Sequence, residues 1–411
     1  MLSSDAMDMS FEVKDRLDGV PVVDVDPFDE AWLRTPYEYW EQLRNVGPVA
    51  WIPKYQCYVL CRYEQVKAAQ ADWRTFTTAH GAGLSDIRKP ENWRPASVIV
   101  EVEPPRHTEV RKVVNGVISP KAVRGWRARF ESDAEAMIAP LIERRTFDGV
   151  RDVAESYVLK VFPDSMGLEI NREQAVAVGD LNFNSIGPKN ERVVASHKHV
   201  EPFLEWWHSA VRGEMLRAGG FGEEMFRQEA AGQIEQGLAG KLTMTFLRGG
   251  MDTTISSIGN ALWLFASNPD QWQLLRSRPE LLRGAFDEAL RIESPISTNF
   301  RTTTTQVEID GCRLAADKKV HLMLGAANRD PRRWVHPHRF DITRDAAGHV
   351  SFGTGIHACA GQLIARLEFD CVMKALMKRV KSIGLAGKAE HRVNNALRTL
   401  DHLPLEVTLD D

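Results

Sequence analysis

The sequence predicts a mainly α-helical protein with small β-sheets, built as one domain over residues 25–411 behind a flexible segment at 1–24. Three observations carry this. Helical periodicity dominates from about residue 105 to 290. Strand-like runs are short and lie on either side of that stretch. No linker rich in Pro, Gly and Ser divides the 411 residues, although a chain of that length would ordinarily hold two domains.

In order along the chain, a polar and acidic start (Asp5, Asp8, Glu12, Asp15, Asp18) leads through Asp26-Pro27-Phe28 to a helix over 36–46 that stops near Gly47-Pro48. Residues 49–53 and 57–61 read as strands, and a further helix begins at Tyr63. Residues 80–100 form a loop rich in Gly, Pro and charge. The helical body breaks at Ser119-Pro120, Phe147-Asp148-Gly149, Gly187-Pro188 and Ala218-Gly219-Gly220, where Gly and Pro interrupt the pattern. A long helix spans 234–267 and ends at Asn268-Pro269. Another starts at Pro279, a residue suited to a first helical turn. Strand character returns at 306–309 and 320–324, and no internal repeat is visible.

Hydrophobic content of 43% and charged content of 26% belong to an ordinary globular protein with a large core. A net charge of −4 without long like-charge runs gives no footprint for nucleic acid. The start lacks the cationic and apolar stretches of a secretory signal, and no run of eighteen apolar residues could span a membrane. A cytoplasmic monomer is expected. The five cysteines (Cys57, Cys61, Cys312, Cys359, Cys371) are odd in number and scattered, which fits a reducing compartment. Cys57 and Cys61 sit in a strand-like run and read as core residues, because nothing completes a four-ligand metal site.

The most informative stretch is Phe352-Gly353-Thr354-Gly355-Ile356-His357-Ala358-Cys359-Ala360-Gly361, followed by the helix-forming Gln362-Leu363-Ile364-Ala365-Arg366-Leu367-Glu368. One cysteine in a glycine-rich loop before a helix can serve as the single axial thiolate ligand of a haem iron. The helix N-terminus favours the anionic sulfur, and Gly355 and Gly361 let the backbone approach a flat macrocycle. A second stretch, Gly249-Gly250-Met251-Asp252-Thr253-Thr254, lies inside the long helix. Two adjacent glycines weaken a helix by about 1 kcal/mol each relative to Ala, so a ligand against the backbone is a candidate to offset them. An acid followed by a hydroxyl can hold water and pass protons. A third, Glu288-Ala289-Leu290-Arg291, pairs a carboxylate and a guanidinium on one helical face, a pattern that is common on surfaces and weak by itself.

The cysteine stretch matches Phe-x-x-Gly-x-His-x-Cys-x-Gly at every fixed position and resembles the haem-ligand signature of the cytochrome P-450 superfamily. The resemblance extends over roughly residues 25–408. It implies a helix-rich triangular prism with haem b held between the long central helix and the cysteine-loop helix. In that reading Cys359 is the iron ligand, with Phe352, Gly353 and Gly361 beside the macrocycle. His107, Arg111, Arg301 and His357 match the family's propionate ligands, cations suited to carboxylates. Asp252 and Thr253 match its acid–alcohol pair, although Gly249 stands where alanine is more usual. Glu288 and Arg291 become a structural core pair with Arg329 or Arg332 as third member. The chain has no flavin or nucleotide fingerprint and no iron–sulfur cysteine set, so a monooxygenase of this kind takes electrons from NAD(P)H through a flavin reductase and an iron–sulfur ferredoxin. The ferredoxin is expected near Cys359, against Arg106 or Lys112. A peroxide-driven peroxygenase or a haem isomerase would use the same thiolate without external electrons, but would not need the Asp252–Thr253 pair. A gas sensor would need an output domain, and none is visible.

Within the superfamily the chain is similar to bacterial members that oxidise para-substituted benzoic acids by O-demethylation or alkyl hydroxylation. Trp93-Arg94-Pro95-Ala96-Ser97, Gly219-Gly220-Phe221-Gly222, Ala327-Asn328-Arg329-Asp330-Pro331, Phe340-Asp341-Ile342-Thr343-Arg344 and Asn394-Asn395-Ala396-Leu397-Arg398 carry that similarity. It implies that Arg94 and Ser97 bind the substrate carboxylate while the para group points at the iron. Val100, Phe183, Ile186, Thr245, Arg248, Gly249, Asn299 and Leu397 complete the implied pocket. Met244 and Thr245 replace a second arginine and a serine of that group, and Arg248 one turn on is a candidate for the lost charge. Ile186 and Asn299 stand where aromatic residues are usual, although Phe183 keeps one, which implies a wider site for ortho- or meta-substituted, phenolic or bulkier aromatic substrates. The alternative reading is a monooxygenase of a different small aromatic (methoxyphenol-like) or terpenoid substrate.

Overall fold

The central helix, Ala239–Ser267, organises the molecule. At 29 residues it runs about 44 Å, and most of its side chains are buried on every face, the mark of a helix enclosed by other elements. The structure, a computed structural model, describes residues 19–410. Expectations for residues 1–18 lie outside the described residues. From Val20 the chain is anchored: Val20 is buried, and Val23 N and Trp51 N bond to Trp51 O and Pro21 O. Residues 20–23 are therefore packed on, and hydrogen-bonded to, the strand that holds Trp51.

Around the central helix pack Ser156–Met166, Arg172–Asn184, Phe221–Ala230, Leu282–Ile292 and the cysteine-loop helix Gln362–Met377, which also lies along Pro120–Glu143. Their ends are written in the sequence. Ser119 caps the helix that begins at Pro120, Asn171 and Gln174 form a reciprocal capping box, and Asn190 accepts from Val193 N. Gly167, in the left-handed region at φ 79°, closes Ser156–Met166. The central helix starts at Ala239 rather than 234, because residues 234–238 are irregular, with a turn at Gln236-Gly237 where Gly237 is left-handed at φ 82°.

Among the described residues the β-structure forms one five-stranded sheet and three smaller ones. The larger sheet runs Ala50–Ile52, Cys57–Leu60, Lys319–Leu322, Asn299–Thr303 and Phe76–Thr77, with only the second and third strands parallel. Cys57 and Cys61 are buried in this region as core residues, their thiols pushed up to about 12 by burial. The strand Asn299–Thr303 and the C-terminal strands Val380–Leu385, Glu390–Arg392, Thr399–His402 and Pro404–Leu409 were not expected from the sequence. Asn299–Thr303, Glu390–Arg392 and Thr399–His402 are short or polar, whereas Pro404–Leu409 does alternate apolar Leu405, Val407 and Leu409 with Glu406 and Thr408. Among the described residues no helix is long and apolar enough to cross a membrane.

Candidate active site

Cys359 sits at the mouth of the helix Gln362–Met377, its N–H bonded to Phe352 O at 2.7 Å, which closes the loop on itself. Gly353 and Gly355 hold left-handed φ values of 69° and 70°, and a Cβ on Gly355 would crowd Ala71 at 2.9 Å. Gly361 differs from the expectation: its φ of −84° suits any residue, and what it leaves is room beside the Cys359 sulfur. Burial raises the thiol above its ordinary value, while the N–H groups of Gly361 and Gln362 and the charge of Arg111 work against it. The loop thus presents a thiol ready to lose its proton to a metal, since coordination deprotonates a thiol outright.

Beside the loop, His107 and His357 lie edge to face at 4.6 Å, and Arg111 donates to Ala358 O at 2.6 Å. His357 Nε2 is 2.9 Å from Glu103 and 3.1 Å from the Thr78 hydroxyl. Glu103 had no signal in the sequence beyond preceding Pro104-Pro105. Burial works to raise it, but His357 and the Thr77–Thr78 turn hold its carboxyl down to about 2. His107 is buried, with Nε2 unpartnered, and burial together with His357 and Arg111 lowers it to about 4, so it is neutral. Arg301 is buried and donates only to its neighbour's carbonyl, Phe300 O; burial brings it down to about 10, with Glu103 opposing. His357 already has Glu103, whereas Arg111 and Arg301 have no ion-pair carboxylate among the described residues and His107 Nε2 has no partner; these three are what two haem propionates would occupy.

The paired glycines of the central helix divide the work. A Cβ on Gly250 would overlap the Phe162 ring, so that glycine serves packing, whereas a Cβ on Gly249 would meet open space. The open side can admit a flat cofactor; donors, free thiol and space together fit a haem. Past the glycines, Thr253, Ser256 and Ser257 each donate to the carbonyl four residues back, at 2.7, 2.6 and 2.6 Å, a pattern that bends helices. Asp252 points the other way, onto Gly179 of Arg172–Asn184, where a Cβ would overlap its carboxylate. Arg392 is 3.2 Å from Asp252 and 3.7 Å from Asp180, and Asp252 Oδ2 is buried without a partner. Burial raises Asp252 to about 7, with Arg392 opposing and Asp180 adding to the rise. A small cavity lined by Glu155, Asp252 and Arg392 adjoins it. Arg392 is 140 residues away in sequence, beyond any local pattern.

The loop over 80–100 places Arg94 and Ser97 together, but around a carboxylate of the chain itself. Both terminal nitrogens of Arg94 bond to Glu101, the NH1 contact at 3.1 Å. Ser97 N and Ala82 N add bonds at 2.7 and 2.6 Å, and the Ser97 hydroxyl accepts from Val100 N at 3.2 Å. Burial works to raise Glu101, yet Arg94 and these N–H groups hold it below its ordinary value, as an anion. Arg248 folds back along its helix, 3.4 Å from the Thr245 hydroxyl and 5.3 Å over the Trp207 ring. Thr245 donates to Lys241 O. Phe183 and Leu397 are buried, Val100 is exposed, Ile186 is held by Leu84 N on its carbonyl, and Asn299 Oδ1 is buried without a partner.

Glu288 and Arg291 form a fully buried pair, at 2.7 and 2.9 Å. The expected third member is corrected: Arg344, not Arg329 or Arg332, reaches Glu288 at 3.1 Å. Arg329 instead binds Glu293 at 2.6 Å and Ile292 O at 2.9 Å, because its short tether from the helix Leu324–Ala327 leads its guanidinium to the end of Leu282–Ile292. Arg332 pairs with Asp330.

A family model described as Cytochrome P450 matches residues 271–383, which include the Glu288 helix and the cysteine loop. Cytochrome p450 CYP199A2 of Rhodopseudomonas palustris is 42% identical over 392 residues, 95% of each chain. Cytochrome P450 107B1 of Saccharopolyspora erythraea is 28% identical over 406 residues, 93% of this chain and 98% of its own. The solved structure of cytochrome P450 CYP109Q5 from Chondromyces apiculatus has a TM-score of 0.77 at 26% identity, covering 94% of this chain and 99% of that one. CalO2 gives a TM-score of 0.79 at 26% identity with the same coverage. A likeness that runs from end to end, through the loop that carries a lone thiol and the helix that opens beside it, makes this chain a member of the cytochrome P450 family and a monooxygenase.

Proposed function

We propose that the chain inserts one oxygen atom of O2 into a small aromatic substrate, O-demethylating or hydroxylating a substituted benzoic acid in the cytoplasm. Electrons come from NAD(P)H through a reductase and a ferredoxin. Each turnover takes two electrons and two protons; one oxygen atom enters a substrate C–H bond and the other leaves as water. Where the carbon is an ether methyl, the hemiacetal collapses to a phenol and formaldehyde. Haem b, bound by Cys359 with its propionates on His107, Arg111, Arg301 and His357, would supply the oxygen-reducing centre.

The chain's own part is to hold the substrate and deliver protons. The observation that carries this reading is Asp252, a buried acid next to Thr253, with one carboxyl oxygen unpartnered and the other 3.2 Å from Arg392; burial raises it to about 7. An acid with that value is half protonated at neutral pH and so suited to general acid work. Arg392 and the cavity with Glu155 offer it a way to be reprotonated from the side away from the pocket. Thr253 keeps its hydroxyl on Gly249 O, beside the open face of the helix. Arg94, Arg248 and Phe183 would border the aromatic pocket. For the ferredoxin, Lys112 is exposed, whereas Arg106 is already paired with Glu235.

The test is reconstitution with a ferredoxin, its reductase and 4-methoxybenzoate. Thr253→Ala is expected to lower product formed per NADH consumed by about tenfold. Unchanged coupling would remove Thr253 from proton delivery, and turnover by peroxide alone with none from the ferredoxin system would replace the proposed reaction with a peroxygenase.

A further inference from the structure

The cluster above the open face of the central helix does not balance its charge. Glu101 is a buried carboxylate that receives four hydrogen bonds, two from Arg94 and one each from Ser97 N and Ala82 N. Arg94 is thereby neutralised, and the seat implied for a substrate carboxylate, Arg94 with Ser97, is filled from within the chain. Arg248 has no such partner. Its Nε is buried without a hydrogen bond, its one polar contact is the 3.4 Å approach to Thr245, and among the described residues no carboxylate lies within ion-pair distance. It senses Glu101 and Arg94, whose opposite charges offset each other. Lys319, which bonds to His80 O and Gly81 O beside Arg94, is lowered to about 7 by burial, so Arg248 is the cation left without an anion of its own, in a place where an unpaired charge is costly.

The guanidinium also lies where an incoming anion could use it. A helical side chain leans toward the helix N-terminus, and Arg248 follows this, reaching the level of Thr245, one turn back. The Trp207 ring covers one face of the fork at 5.3 Å, which leaves its edge for a planar carboxylate.

We infer that Arg248, rather than Arg94, is the residue that receives the anionic group of the substrate. Glu101 acts as a resident counter-ion that confines Arg94 to holding the loop. The inference rests on the aromatic-acid reading and names the residue that selects an acid over its neutral isosteres. The preferred ligand is then a monoanionic aryl carboxylate, one charge matching the one left over.

The test is a spin-state titration of the ferric holoenzyme with 4-methoxybenzoate and with the neutral 4-methoxybenzamide. In the natural protein the acid is expected to bind at least tenfold more tightly than the amide. Arg248→Met should weaken acid binding by about thirty-fold, the value of a charge-assisted bond, and leave amide binding within about threefold. Arg248→Lys should restore part of the selectivity, which loss of packing alone would not produce. Arg94→Met should weaken acid and amide alike, with a lower melting temperature. Equal affinity of the natural protein for acid and amide would overturn the inference, as would an acid-selective loss in Arg94→Met with none in Arg248→Met. If neither ligand nor 4-methoxyphenol changes the spin state, the aromatic reading beneath it fails instead.

Discussion

Two arginines of this chain show what separates a structural cation from one kept for a ligand. Arg291 uses all five of its N–H groups. Two go to Glu288, two to Asn328 O and Pro337 O at 2.8 Å each, and one to Arg339 O at 3.3 Å, with both side chains of the pair wholly buried. Glu288 spends its remaining capacity on Asp341 N and Arg344. Arg248 has one weak contact and an unpartnered Nε, and Arg301 only a neighbouring carbonyl. Complete satisfaction marks a group whose work is finished on folding. Incomplete satisfaction around the thiol and the open helix face marks groups whose partner arrives later.

The largest break in this contrast is expected on the satisfied side. Glu288→Ala leaves the Arg291 charge buried against carbonyls alone, which should cost about 3–5 kcal/mol, visible as a lower urea midpoint with unchanged slope. An equal loss of stability in Arg248→Met would erase the distinction, because a cation awaiting a ligand should be removable at little cost to the fold.

Glycine 179 tests the same idea at the proton inlet. Its missing side chain is what lets Asp252 rest on the helix Arg172–Asn184, within reach of Arg392. Gly179→Ala forces the carboxylate aside, with an expected cost of about 1–3 kcal/mol. It should also change the pH dependence of coupled turnover. In the natural protein, coupling should fall as pH rises through about 7, when the acid loses its proton. An unaltered profile in Gly179→Ala would show that the carboxylate's position does not matter to proton delivery.

How far these features could be read beforehand follows from their range in sequence. The thiol loop, the long helix with its glycines and acid–alcohol pair, and the Glu288–Arg291 turn are local patterns, so their residue types announce them. Glu101 lies seven residues from Arg94 in an irregular loop, Arg392 lies 140 from Asp252, and Gly179 touches Asp252 from another helix. None of these pairings has a period to betray it. Arg344 in place of Arg329 is the same lesson. The family resemblance implied a third cation for the buried pair, but which of several nearby arginines reaches it depends on tether and direction. The strand Asn299–Thr303, paired on both sides in the larger sheet, was missed because polar residues (Asn299, Arg301, Thr302, Thr303) outnumber its one apolar residue although nearly all of it is buried.

Glu368 belongs to neither class, and that makes it the finest test. It lies on the cysteine-loop helix, wholly buried, facing Thr254 of the central helix, with neither carboxyl oxygen in a hydrogen bond. Burial raises it well above 4.5, with Thr254 opposing, which favours the neutral acid. The sign follows from linkage. The unfolded chain releases this proton near its ordinary value while the folded chain keeps it, so the folded state binds more protons and stability falls as pH rises above about 4.5. The loss runs at up to about 1.4 kcal/mol per pH unit until the folded group ionises. Glu368→Gln should remove that slope and gain stability at pH 8 relative to pH 5, measured by urea unfolding at each pH. A haem-bound natural protein whose slope matches the glutamine variant would mean that Glu368 has found a partner on assembly, and so belongs with Arg248 and Arg301 among the groups that wait for one.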